Sequence, residues 1–189
     1  MFLKNKLFTA LYTIFLILNF NQSKAMTAMT KKPDLTFKRH DFGVACYNAS
    51  DLRVVYAGIP FVREAECRDR EPYDEKRIKA NTTGLIAFSG PVDVKWKSED
   101  GEQHQYQLDL DEIFKGKKVL HHEKEEDLLI KHPSYDPGIY IEVDNRTLNI
   151  YMDVNIILSP NGVDNGNQRY SRRNVTLAFT KNFLITTNN

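Results

Sequence analysis

The side chains able to do chemistry are few and scattered. Ser89 stands in Ala87-Phe88-Ser89-Gly90-Pro91. A nucleophile elbow needs Gly two residues before its Ser and two after. Ala87 and Pro91 hold those places, so the segment reads as a turn. His121, His122, Glu123 and His132 carry groups that zinc accepts. Neighbouring His residues on a strand point to opposite faces, and no His-Glu-x-x-His helix accompanies them. The run Glu123 to Asp127 therefore reads as a solvated charged loop. Asn161 to Asn167 offers oxygens for calcium but lacks the alternating acids and final Glu of an EF-hand loop. Asp109 and Asp111 share a face if their strand continues, as a carboxylate pair for glycoside hydrolysis would. Their competing role is an exposed edge or a cap before Glu112-Ile113-Phe114. The glycines are scattered and form no phosphate loop. No catalytic residue, metal ligand set or cofactor is expected.

Recognition has a clearer candidate. Arg169, Arg172 and Arg173 bracket Tyr170 at the end of a polar stretch that starts at Ser159. Arg and Tyr are enriched at binding hot spots, and a long loop on a β scaffold is a usual place for recognition. These four residues are the candidate partner-binding loop, with a solvated loop as the alternative. Asn48, Asn81, Asn145 and Asn174 each begin an Asn-x-Ser/Thr triplet, which matters only in a eukaryotic exporter.

The start of the chain predicts export. Lys4 and Lys6 precede an apolar run from Leu7 to Phe20, and Ser23-Lys24-Ala25 fits a cleavage site. The run is shorter than the ~20 residues of a membrane span, the competing reading. Residues 1–25 are thus expected as a signal peptide, 26–34 as a flexible lead-in, and 35–189 as a single domain. No second stretch long enough to span follows, so no membrane attachment is expected after cleavage. In an oxidising compartment the two cysteines, Cys46 and Cys67, are expected to form one disulfide. It would stabilise the fold by roughly 3 kcal/mol through loop closure. A thiol nucleophile is the rival, without a Cys-x-x-Cys spacing to support it.

The elements that must position these groups read mainly as strands. Phe42, Val44 and Cys46 alternate, Asn48 to Asp51 is turn material, and Leu52 to Val62 reads as one further strand. Glu64 to Ala80 is densely charged, a solvated excursion or, over Pro72 to Ala80, a short helix. Gly84 to Phe88 is a short strand. Pro91 to Lys97 and Gln103 to Leu110 flank Glu99-Asp100-Gly101 as a hairpin. Asp111 to Phe114 is expected as one helical turn and Lys118 to His121 as a short strand. Ile139, Ile141 and Val143 alternate, then Leu148, Ile150, Met152, Val154, Ile156 and Leu158 fill successive even positions. One face of that strand must be core. Ser159 to Arg173 reads as a loop. Val175 to Phe179 reads as a last strand, with a turn at Lys181-Asn182 and Phe183 and Ile185 pairing back.

About eight short strands with little helix predict a mainly β chain: a single-domain antiparallel β-sandwich or open barrel. The 189 residues are 41% hydrophobic and 27% charged, which excludes general disorder. A net charge of +1 gives no electrostatic reason to bind nucleic acid.

Three stretches carry a resemblance: Val94 to Gly101, Leu108 to Phe114 and Ile141 to Met152. Through them the chain resembles exported bacterial proteins encoded beside type VI secretion effectors, lipase effectors among them. Such neighbours are commonly periplasmic immunity proteins. The resemblance implies a non-catalytic secreted domain whose partner is a protein, a toxic effector enzyme neutralised by direct binding. Its motifs are packing and turn motifs, so no functional residue follows from it. A small secreted hydrolase with a spatially assembled site and an envelope or adhesin module are the alternatives. The oligomeric state is left open.

Overall fold

Alternating apolar residues build two sheets around one core. The computed structural model describes residues 32–74, 81–131 and 134–184. The expected signal peptide, most of the lead-in, the later part of Pro72 to Ala80, His132 and Ile185 lie outside the described residues. The chain divides into Met1–Lys32 and a second compact unit, Pro33–Asn189. The strands of that unit are β1 (Arg39–Tyr47), β2 (Ala49–Tyr56), β3 (Ile59–Glu66), β4 (Thr82–Ile86), β5 (Val92–Ser98), β6 (Gln103–Leu108), β7 (Gly138–Asp144), β8 (Thr147–Leu158) and β9 (Tyr170–Asn182). One sheet has the order β4-β1-β7-β8-β9 and the other β3-β2-β5-β6. The β1–β7 pair is parallel and the other strand pairs are antiparallel.

The even positions of β8 are all buried, as their period requires. They share a core with Ile139, Ile141 and Val143 of β7 and with Leu52, Val54, Val94 and Trp96 of the second sheet. Each such side chain contributes about 1.5–3 kcal/mol by leaving water. The layers are also bonded across the core. Trp96 Nε1 donates to the Asn145 carbonyl at 2.7 Å, and the Phe42 and Tyr56 rings lie 5.0 Å apart. Two separate sheets packed face to face make a β-sandwich, and the open-barrel alternative is set aside. The Cys46–Cys67 disulfide is formed. Among the described residues helix is limited to the four residues of α1 (Leu110–Ile113) and short 3-10 turns.

Several boundaries differ from the sequence reading. Leu52 to Val62 is not one strand: Ala57 and Gly58 take φ of 50° and 80° and turn β2 into β3. Two positive φ values in a two-residue loop match the twist of a hairpin, and Gly58 supplies one without strain. Asn48 and Asp51 also have positive φ, but the chain passes there from one sheet directly into the other. Of Lys118 to His121, only Lys118 bridges, to Thr36. The loop after Ser159 ends at Arg169, because pairing with β8 extends to Leu158 opposite Tyr170. Tyr170, Arg172 and Arg173 therefore belong to a strand. The turn expected at Lys181-Asn182 is absent, since β9 runs straight through to pair Asn182 with Thr147.

His40 of β1 is fully buried among Phe42, Tyr56 and Phe88. Its Nε2 lies 3.3 Å from the Tyr56 hydroxyl, and Nδ1 has no partner. Burial pushes the imidazole down to about 4, against the opposing charge of Asp41. The folded chain therefore holds the ring neutral while the unfolded chain protonates near 6.5. Stability from this site is complete above the unfolded value and is lost as pH falls toward the folded one. That loss is about 3 kcal/mol. Urea unfolding at about pH 7.5 and about pH 4 should show it in the native protein, with most of it gone in His40→Leu. An equal pH dependence in the variant would contradict this assignment.

Candidate functional site

Among the described residues, those singled out for chemistry do not converge. Ser89 is exposed in the turn after Phe88, which itself has a φ of 59°. His122 Nε2 lies 3.1 Å from Thr176 Oγ1, and Glu123 accepts from Arg172 at 2.8 Å and from Asn174 at 3.1 Å. The expected charged loop is thus docked on β9 over this part. Asp164 in the 161–167 loop takes the Gly166 N–H and Arg169, so its oxygens serve the loop. Asp109 caps α1 through the N–H groups of Asp111 and Glu112, which decides between its two sequence readings. Cys46, Glu64 and Cys67 bring potential ligand atoms together, but both sulfurs are in the disulfide and cannot act as thiolates. The Asn48, Asn145 and Asn174 amides are engaged with Asp144, Glu99 and Glu123.

One Ser–His–Asp group escaped the sequence reading. Ser98 and His104 face each other across the β5–β6 hairpin, with Ser98 Oγ 2.8 Å from His104 Nε2 and 2.5 Å from Asp100 Oδ1. Bonds from Ser98 and Arg146 hold the Asp100 carboxyl at about 2, so it is ionised and can only accept. The single hydroxyl proton goes to it. His104 Nε2 must then carry its own proton and donate it to Ser98. A catalytic triad needs the opposite order, with His accepting from Ser and Asp orienting His. Burial also pushes the His104 pKa down. The hairpin spacing, Ser98 then His104 around a tight turn, was the signal available in the sequence.

A buried polar cluster lies on the outer face of the five-stranded sheet. There Glu142 of β7 is only 3% exposed. Its Oε1 accepts from Arg70 at 3.0 Å, Asn149 at 3.0 Å and Tyr151 at 3.3 Å. The same Arg70 nitrogen reaches Asp144 at 2.8 Å, and Asp144 also accepts from Asn48 at 2.7 Å. Burial works against the charge on Arg70, but its bonds to Asp144 and Glu142 outweigh it and raise the pKa. Arg70 belongs to an arm, residues 67–74, that leaves the end of β3 and lies over Tyr47 of β1. The disulfide, the Tyr47–Arg68 bridge and the Arg68–Asp74 ion pair fix it. Both guanidinium groups sit over the Tyr47 ring, at 4.9 and 5.4 Å. Cys67, Arg68, Arg70 and Asp74 therefore tie the excursion to the sheet, while Asp69 and residues 71–73 stay exposed. Charge density alone could not reveal this, because the acids that satisfy Arg70 lie more than seventy residues away.

The four recognition residues lie near the open end of β9, an edge strand. Tyr170 is 49% exposed. The Arg172 guanidinium sits 5.9 Å from its ring and is bonded to Glu123. Arg173 makes a forked pair with Asp153 at 2.6–3.0 Å, and Arg169 pairs with Asp164. The basic cluster of the sequence is thus neutralised in space. Compared with family models, with curated proteins and with solved structures, the chain has no match. Among the described residues no helix is long and apolar enough to cross a membrane.

Ser98 supplies the chemical check on this site. A fluorophosphonate that labels activated serines should leave it unmodified, and Ser98→Ala should lower stability by about 1–2 kcal/mol through the His104 Nε2 left without its partner. Labelling at Ser98 would contradict the proton assignment.

Proposed function

We propose that this chain is a non-catalytic exported binding protein, a periplasmic immunity protein that neutralises a toxic effector enzyme by direct contact. The observation that carries the reading is the Tyr170–Arg172 pair at the exposed start of β9. Its guanidinium is already held by Glu123, so little side-chain freedom is lost when a partner covers the ring. An exposed Tyr beside an oriented Arg is the composition of an interface anchor. β9 pairs with β8 along one edge only, so its backbone offers a further row of donors and acceptors to an extended partner segment. The disulfide fits an oxidising compartment, in keeping with the leader expected from the sequence.

Co-purification from the producing cell, paired with protection of cells from a periplasmic toxin, tests this function. The native protein should capture one effector and protect. Tyr170→Ala with Arg172→Ala should weaken capture by about thirtyfold or more, the scale of an interface hot spot. An absence of both partner and protection would remove the reading. Concentration-dependent self-association without a partner would move it to an envelope or adhesin module.

A further inference from the structure

The outer face of the four-stranded sheet carries a row of charge that the molecule itself leaves unanswered. Arg63 of β3 stands opposite Arg53 of β2, and Arg53 stands opposite Lys95 of β5. Directly opposed residues on neighbouring strands hold their Cβ atoms about 4.5–5.5 Å apart, and like charges at that separation destabilise the sheet. All three side chains are exposed. Lys97 extends the row, two residues along the same face of β5.

The contrast with the rest of the chain is sharp. Arg39 donates to the Gly84 carbonyl, and Arg68, Arg70, Arg146, Arg169, Arg172 and Arg173 each pair with an acid. Among the described residues, Arg53 and Arg63 are the only arginines with neither a side-chain hydrogen bond nor an ion pair, and Lys95 and Lys97 have none either. Asp93 on the same face is bonded to Gln107 at 2.9 Å and Asp51 stands two residues before Arg53, but neither forms an ion pair with the row. The fourth strand adds only Gln103, Gln105 and Gln107 to this surface. A fold that pairs every other described arginine has placed three cations in register where they repel.

We propose that this face docks an acidic patch on a protein partner, with the carboxylates of the partner bridging Arg63, Arg53 and Lys95. The arginine fork matches a carboxylate two bonds at a time. The row spans only three strands, about 10 Å. That suits a few carboxylates on one partner element and is too short to follow a polyanion. Asp51 and Asp93 at its margins repel a continuous anionic chain or surface, while the glutamines offer neutral hydrogen bonds to a protein rim. This surface belongs to the other sheet from Tyr170, and the inference stands whether or not the Tyr170 end touches anything.

The test measures binding of the intact protein to a short helical peptide with three glutamates on one face, to a short DNA duplex and to phosphatidylglycerol vesicles at low and at physiological salt. The glutamate peptide should bind most tightly and release with salt. Arg53→Glu with Arg63→Glu should weaken it by about tenfold or more, and the neutral pair Arg53→Gln with Arg63→Gln by less. Tyr170→Ala with Arg172→Ala should leave it unchanged, which separates this surface from the β9 end. The neutral pair should also unfold at the same or higher urea than the native protein, since like-charge repulsion is relieved. Equal binding by native and charge-reversed proteins would overturn the proposal, as would tighter binding to DNA or to vesicles than to the glutamate peptide.

Discussion

A carboxylate taken out of water costs several kcal/mol unless charge and hydrogen bonds replace its hydration, and Glu142 imposes that demand on the centre of the larger sheet. β7 is covered on both faces. One face looks into the core between the sheets, and the other carries Glu142. Arg70 answers the charge, with Asn149 and Tyr151 filling the remaining bonds to the same oxygen. Arg70 arrives on a segment with no regular structure of its own. Cys67 holds that segment to β1, beside the parallel β1–β7 pair. Disulfide, arm and buried acid therefore form one device that ties the connection from the smaller sheet to the outer face of the larger one.

The same economy of partners runs through the molecule and bears on its function. Ser98, His104 and Asp100 hold one another in an order that gives no nucleophile. Glu123, Asp153 and Asp164 occupy the arginines near Tyr170. A scaffold whose polar groups satisfy each other is stiff, and stiffness favours recognition by contact because little freedom is lost on binding. In the core His40 Nδ1 stays unpaired, and on the described surface the Tyr170 ring, the outer edge of β9 and the Arg63–Arg53–Lys95 row stay open to a partner.

Strand periodicity was legible in the sequence, and so was the disulfide. The even positions of β8 have one solution in a sheet, and two cysteines have one pairing within a chain. Turns were harder. Ala57-Gly58 lies inside a stretch rich in β-branched and aromatic residues, and the positive φ of both residues makes the hairpin there. The start of β9 was hidden because Tyr170-Ser171-Arg172-Arg173 is polar, as an exposed edge strand is allowed to be. The site was least legible of all. Arg70 and Glu142 are distant in sequence, and the in-register row of Arg63, Arg53 and Lys95 emerges only when three strands are aligned. Long-range pairing of charges leaves no local pattern to read.

The central claim is that the disulfide stabilises this fold by delivering Arg70 to Glu142 and Asp144. A double-mutant cycle measures it directly. Urea unfolding would compare the native protein, Arg70→Ala, the disulfide-free pair Cys46→Ala with Cys67→Ala, and all three changes together. The account predicts that Arg70→Ala costs about 2 kcal/mol or more when the disulfide is present and nearly nothing when it is gone, a coupling above about 1 kcal/mol. Additive losses would mean that the disulfide and the buried charge act independently, and would contradict it.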